Sequence, residues 1–218
     1  MSDDAAAAAL AAYLGDVSMP APRRLAFRSG HRERFWIGNC LAIGLSAGFI
    51  EPLEASAIVT VELSLDALLA DWPTRATMPL VAARFNALFR YRWERIVEFL
   101  KLHYLLSRRS ERYWRAHREP ASVPARLAEL VKLWANRPPT RADLPMSDEM
   151  FPAASYQYVL YGMGFAAPAA TPIRAAPPPS FDPVVQRART LATSLPPVRV
   201  YLDALAGERR SAPRERLP

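Results

Sequence analysis

The chain of 218 residues has a single cysteine, Cys40, and only three histidines. One thiol excludes an internal disulfide and any cysteine-based metal cluster. Cys40 lies in an apolar run and is expected to be a buried thiol. His31, His103 and His117 are too far apart in sequence for metal-ligand spacing, so no metal site is expected. No G-x-G-x-x-G occurs. The nearest approach, Gly162-Met163-Gly164, lacks the third glycine and follows an amphipathic segment instead of a strand. No uninterrupted apolar run approaches the roughly 20 residues of a membrane helix. The opening MSDDAAAAALAAYLG carries acidic first charges and no basic region before its apolar stretch, so it does not read as a secretory signal. A cytoplasmic location is the expectation. Lysine is scarce, with Lys101 and Lys132 on predicted helices.

What is present suits a folded core. Hydrophobic residues make up 51% of the chain, enough for one domain, or one domain with a tail. The net charge of +7 and pI near 10.0 raise the question of nucleic acid. The arginines, however, are scattered along predicted helices without an RNA-binding motif. The local clusters are Arg108-Arg109, Arg209-Arg210 and the ends of predicted helices, where cations suit the dipole. A solvated basic face is the simpler reading, and no nucleic-acid partner is expected.

Hydrophobic spacing and breakers predict a mainly α chain with a small β-hairpin. A short helix covers Asp3 to Gly15. Strands are expected over Leu25–Arg28 and Arg34–Ile43, turning at Ser29-Gly30. Helices follow over Leu53–Asp71, Pro79–Ser107 and a segment capped by Ser122, then one from Ser147 to Gly162. Residues 166–180 are rich in alanine and proline and read as a linker. Two more helices are expected over Pro183–Leu195 and Val198–Leu205. The implied organisation is 1–22 connector, 23–165 main region, 166–206 linker and terminal helices, and 207–218 disordered tail.

The most informative stretch is Trp36 to Ala57, WIGNCLAIGLSAGFIEPLEASA. An apolar run passes through Gly44 and Gly48 and reaches Pro52, a residue favoured at the first position of a helix. Free N–H groups at such a helix start attract anions. Ser46, Ala47 and Gly48 are small enough for a flat ligand to lie close to the backbone. The same pattern also describes a helix-entry loop that binds nothing. Acidic Glu51 and Glu54 would then only complement the helix dipole.

The run GNCLAIGLSAGFIEPLEAS resembles a signature of the flavin-dependent tryptophan halogenases, G-N-C-V-A-L-G-L-x-x-G-F-x-E-P-L-E-S-T. FNALFRYRWERIVEFLKLHYLLSRRSERYWR, Phe85 to Arg115, is similar to the family's long helix with F-I-x-L-H-Y. SYQYVLYGMGF, Ser155 to Phe165, is similar to its S-W-x-x-x-x-x-G-x-G segment, and LATSLPPVRVYLDAL to its closing L-P-x-H-x-x-x-L. The likeness runs from about Arg23 to about Leu205. The family's dinucleotide fingerprint, W-x-W-x-I-P motif and essential lysine have no counterpart here. The chain therefore reads as the C-terminal part of an α+β, FAD-dependent monooxygenase-like fold, whether truncated, split or a remnant.

The resemblance implies roles for particular residues. Gly44, Leu45, Ser46, Ala47, Gly48 and Phe49 match the loop along the flavin. Glu54 matches the second glutamate of E-P-L-E, which orients the lysine and stabilises positive charge on the ring under attack. Ser56 and Ala57 match the Thr-Gly pair whose N–H groups hold the halide, with alanine in place of glycine. Ala55 stands where a serine is usual. His103 matches L-H-Y and reads as a structural core residue. Tyr113, Trp114, Tyr156, Tyr158 and Tyr161 read as core, with an aromatic-substrate pocket as the alternative.

The function implied is halogenation of an aromatic substrate with reduced FAD, oxygen and chloride or bromide, a separate flavin reductase supplying the reduced FAD. Without the fingerprint and lysine, no turnover is expected of this chain alone. The alternative is a non-catalytic helical module that binds a protein partner, such as a separately encoded N-terminal half.

Overall fold

The computed structural model describes residues 2–15, 22–166 and 180–211, with side chains through 207. The expected linker, apart from its two ends, and the last seven residues of the expected tail lie outside them. The chain divides into two units, residues 1–169 and 170–218.

In the first unit, α1 (Asp3–Leu14) is capped by the Ser2 hydroxyl and stopped by Gly15 at φ 69°. Strand β1 (Gly30–His31) and β2 (Trp36–Ile37) are followed by β3 (Cys40–Leu41) and β4 (Gly48–Phe49). β1 pairs antiparallel with β4, and β2 with β3. The expected strand over Arg34–Ile43 is thus itself a hairpin. Gly38 at φ 59° provides the left-handed turn before Asn39 that folds it back. Gly30 is a strand residue, not a turn residue, and Leu25–Arg28 is not a strand. Cys40, expected buried, faces solvent on this hairpin.

Helix α2 (Ser56–Ala70) begins four residues after Pro52. Ala55 is left-handed, φ 51° and ψ 27°, so the helical run cannot extend back through it to Pro52. Replacing Ala55 by glycine removes the clash of its Cβ and should stabilise the protein by about 1 kcal/mol, read as a raised urea midpoint. α2 turns a small polar stripe inward. Thr60 Oγ1 donates to the Ser56 carbonyl and Ser64 Oγ to the Thr60 carbonyl, both at 2.7 Å. All three residues are buried, whereas Ile58, Leu65 and Leu69 are exposed.

Helix α3 (Met78–Leu106) is the spine. Its 29 residues span about 43 Å. Thr74 and Thr77 exchange backbone and hydroxyl hydrogen bonds before it, and Pro79 sits in its first turn. Its N-terminal half contributes Val81, Ala82, Phe85, Phe89 and Trp93 to one core with Phe35, Trp36 and Ala47. Its C-terminal half contributes Ile96, Phe99, Leu100 and Leu102 to a second. α4 (Arg112–Ala116) follows. α5 (Ala125–Trp134) and α6 (Ala153–Gly162) complete the second core with Leu127, Leu130, Trp134, Tyr156, Val159 and Leu160. α5 starts after Pro124 and not at Ser122, whose hydroxyl donates to the Glu119 carbonyl. α6 starts after Pro152, later than expected from Ser147. Tyr156 is core as expected, but Tyr113 and Tyr158 are exposed and Tyr161 is partly so.

Asp143 ties the 135–144 connection to α5. Its carboxylate accepts from Arg137, from the Thr140 N–H at 2.8 Å and from Trp134 Nε1 at 3.2 Å. The Arg137 guanidinium, chiefly, holds this carboxyl well below the usual carboxylate range. A carboxyl depressed on folding contributes stability that is present above its unfolded pKa and lost as pH falls through the folded value. The denaturation midpoint should therefore drop below about pH 4, and Asp143→Asn should flatten that limb.

The second unit holds α7 (Asp182–Ser194) and α8 (Val198–Ser211). α8 runs past Leu205 into the stretch expected to be tail. Among the described residues no helix is long and apolar enough to cross a membrane.

Candidate active site around the 44–57 loop and Glu54

The loop between β3 and α2 is shaped by its own backbone. Gly44 takes φ 62°, which a side chain would strain. Ser46 Oγ accepts from the Ile43 N–H at 3.0 Å and donates to the Ile43 carbonyl at 2.8 Å, closing a turn. Ala47 packs into the core at 3% exposure. Gly48 is required by its neighbour strand, since a Cβ there would lie 2.8 Å from His31 Cβ and 2.9 Å from the Gly30 carbonyl oxygen.

A cavity of about 450 Å³ opens between this loop and α2. Of the six residues expected along a flavin, Gly44, Leu45, Gly48 and Phe49 line it, while Ser46 and Ala47 do not. Ser56 and Ala57 line it too, joined by Ile50, Pro52, Val61 and Trp93. A Cβ on Gly44 would lie 3.5 Å from Val61 Cγ2, a residue of the opposite wall, so the bare glycine widens this space. Ser56 and Ala57 are the first two residues of α2, where backbone N–H groups have no partner within the helix. The wall is largely apolar and fits a flat ring system. Among the described residues its lining carries no cation and no glycine-rich turn for a pyrophosphate.

Glu54 lies just before α2, in the turn closed by the Ala55 N–H on the Pro52 carbonyl. Its Oε1 is 2.8 Å from His103 Nε2 on α3. His103 Nδ1 is 2.9 Å from the Phe99 carbonyl, which can only accept, so Nδ1 is the donor there. Nε2 and Oε1 are therefore joined through one shared proton. His103, expected in the core, has a side chain 19% exposed and holds Glu54. The two are 49 positions apart in sequence, and only the resemblance singled out Glu54.

A second cavity, of about 590 Å³, adjoins this pair. His103, Leu53, Tyr104, Trp114 and Met163 line it, with Arg108 and Arg109. The Gly162-Met163-Gly164 run closes α6 here and lines the cavity. Burial and the Glu51 carboxylate raise the Tyr104 hydroxyl far above an ordinary tyrosine. Behind it, buried Lys101 donates to His117 Nδ1 at 3.1 Å and to Ser122 Oγ at 2.9 Å. Burial lowers the Lys101 ammonium, and burial together with Lys101 lowers His117. Among the described residues no group of three or more His, Cys, Asp or Glu is placed to hold a metal.

The family model for tryptophan halogenase matches residues 1–179. The chain belongs to the tryptophan halogenase family. Tryptophan 6-halogenase SttH of Streptomyces toxytricini is 33% identical over 190 residues, covering 82% of this chain and 35% of the relative. Tryptophan 7-halogenase RebH of Lentzea aerocolonigenes is 30% identical over 203 residues, covering 82% and 37%. Among solved structures, a tryptophan halogenase from Shewanella frigidimarina superposes with a TM-score of 0.81 at 40% identity, over 95% of this chain and 41% of its own. BrvH, a flavin-dependent halogenase from Brevundimonas sp. BAL3, gives 0.77 at 34% identity over 94% and 42%. The chain thus spans a little over a third of the curated halogenases it matches, and the fold is that of the corresponding part of the solved halogenases.

Proposed function

We propose that this chain forms the ring-facing part of a flavin-dependent halogenase acting on an aromatic substrate. The observation that carries the reading is one cavity joining Gly44, Leu45, Gly48 and Phe49 to the first turn of α2, the helix that Glu54 precedes. Bound reduced FAD, with oxygen, would supply the oxidising chemistry that turns chloride or bromide into an electrophile. The four loop residues, with Ile50 and Val61, would hold its ring by apolar contact, and Ser46 and Ala47 would keep the loop in shape. The N–H groups of Ser56 and Ala57 would hold the halide. Glu54, held by His103 beside the larger cavity, would stabilise the positive charge that develops on the substrate ring. His103 positions Glu54. A flavin reductase as supplier of reduced FAD, and a cytoplasmic setting, belong to the same reading.

Neither Lys101 nor Lys132 takes the place of the family's essential lysine, because Lys101 is committed to His117 and Ser122 and Lys132 lies on α5. The purified chain, given reduced FAD, oxygen, bromide and an indole, is therefore expected to give no product. Adding the N-terminal portion of a solved relative should restore product detectable by mass spectrometry. Product from the chain alone, or none with a folded complement, would refute the reading.

One observation favours a second reading, a partner-binding module. Ile58, Leu65 and Leu69 of α2, with Trp72 beyond its end, leave an apolar face in solvent. A separately encoded N-terminal half would cover it. Co-purification that Leu65→Asp plus Leu69→Asp abolishes, without any halogenation, would favour this alternative.

A further inference from the structure

The larger cavity carries a charge that no carboxylate among the described residues pairs. Of its two arginines, Arg109 is ion-paired with Glu111 at 3.0 Å and lies 5.1 Å over the Trp114 ring. Arg108 has no carboxylate partner among the described residues. A hydrogen bond places its Nη2 3.2 Å from the Gly164 carbonyl. Gly164 makes room for it: at φ 76°, a Cβ on this residue would lie 3.2 Å from Arg108 Cζ and closer still to Nη2. The guanidinium is thus laid across bare backbone at the wall, with donors left over.

Among the described residues no carboxylate lines the cavity. The nearest in sequence are already engaged, Glu54 by His103 and Glu51 by Tyr104. The remaining wall is apolar and aromatic, with Leu53, Tyr104, Trp114 and Met163. Such a lining takes a flat ring by contact and stacking. The described lining offers an anion a charge-assisted partner and offers an ammonium no carboxylate.

We propose that this cavity selects aromatic acids that carry a carboxylate and no amino group, with Arg108 as the specificity-determining residue. The proposal rests on the cavity being the site of the aromatic substrate. Free tryptophan fits it less well, because its ammonium would meet two guanidinium groups and no lining acid.

The test is calorimetric titration of the purified chain with indole-3-acetate, L-tryptophan and neutral indole at low salt. Indole-3-acetate should bind roughly tenfold more tightly than either of the others. Arg108→Gln should bring it down to the level of indole and leave indole unchanged. Gly164→Ala, which displaces the guanidinium, should act in the same direction, with circular dichroism confirming the fold of both variants. Equal affinity for tryptophan and indole-3-acetate, or an acid affinity that Arg108→Gln does not change, would overturn the proposal. In that case indole binding that Trp114→Ala removes would leave the cavity as an arene site. If neither indole nor the acid binds, the arene assignment itself falls, and the proposal with it.

Discussion

Glu54→Gln is expected to lower halogenation by the assembled enzyme at least about 100-fold, with flavin affinity and thermal stability little changed. Glutamine keeps the size and one hydrogen-bonding oxygen but removes the negative charge. A charge that faces a developing cation acts on the transition state and hardly on the bound substrate, so the loss should fall on kcat and not on KM. The shared proton with His103 sharpens the expectation. A neutral amide can still meet Nε2 across the 2.8 Å gap, so the side chain stays in place and the change reports charge alone. His103→Leu should lower kcat as well, by a smaller factor, because Glu54 keeps its charge and loses its anchor. Equal activity of wild type and Glu54→Gln in an assembled, FAD-loaded enzyme would remove Glu54 from the chemistry.

Asn86→Leu is expected to cost about 3–4 kcal/mol of stability, measured by urea denaturation. Asn86 is 8% exposed and bridges α3 to the β2–β3 hairpin. Its Oδ1 accepts from the Phe35 and Trp36 N–H groups at 2.7 and 2.8 Å, and its Nδ2 donates to the Trp36 carbonyl at 2.8 Å. Leucine matches the volume but leaves two buried N–H groups without an acceptor, and each such group costs more than an ordinary hydrogen bond gives. The consequence reaches the site, because the loop over residues 44–49 leaves directly from this hairpin. A leucine variant as stable as wild type would show that the hairpin is held by Phe35, Trp36 and Phe85 packing alone.

What the sequence made legible divides along physical lines. The α3 spine was readable because Phe85, Phe89, Ile96, Phe99 and Leu100 repeat at helical spacing and all are buried. The start of α2 was not, because the left-handed Ala55 is a backbone state that alanine rarely takes and no residue pattern announces. Periodicity also found the α2 helix without telling which face turns inward. Ser56, Thr60 and Ser64 return their hydroxyls to the helix or carry little bulk, so they can pack where the larger Ile58, Leu65 and Leu69 do not. The hairpin within Arg34–Ile43 rested on Gly38-Asn39, a short turn signal inside an otherwise apolar run.

At the site, local sequence gave the loop and the helix start, and the resemblance gave Glu54. The partner of Glu54 could not be read from spacing, since His103 reaches it from the far end of α3. The same holds for Arg108 and Gly164, which meet across 56 positions. Such pairs are set by how α3 packs against α6 and the loop, and tertiary packing leaves no periodic trace in the chain.

The most direct test places residues 23–165 of this chain in the corresponding segment of the Shewanella frigidimarina relative, 40% identical to it, and measures halide-dependent product from an indole. The account predicts turnover in the chimera, lost when Glu54 becomes glutamine. A folded, FAD-binding chimera that makes no halogenated product would contradict it.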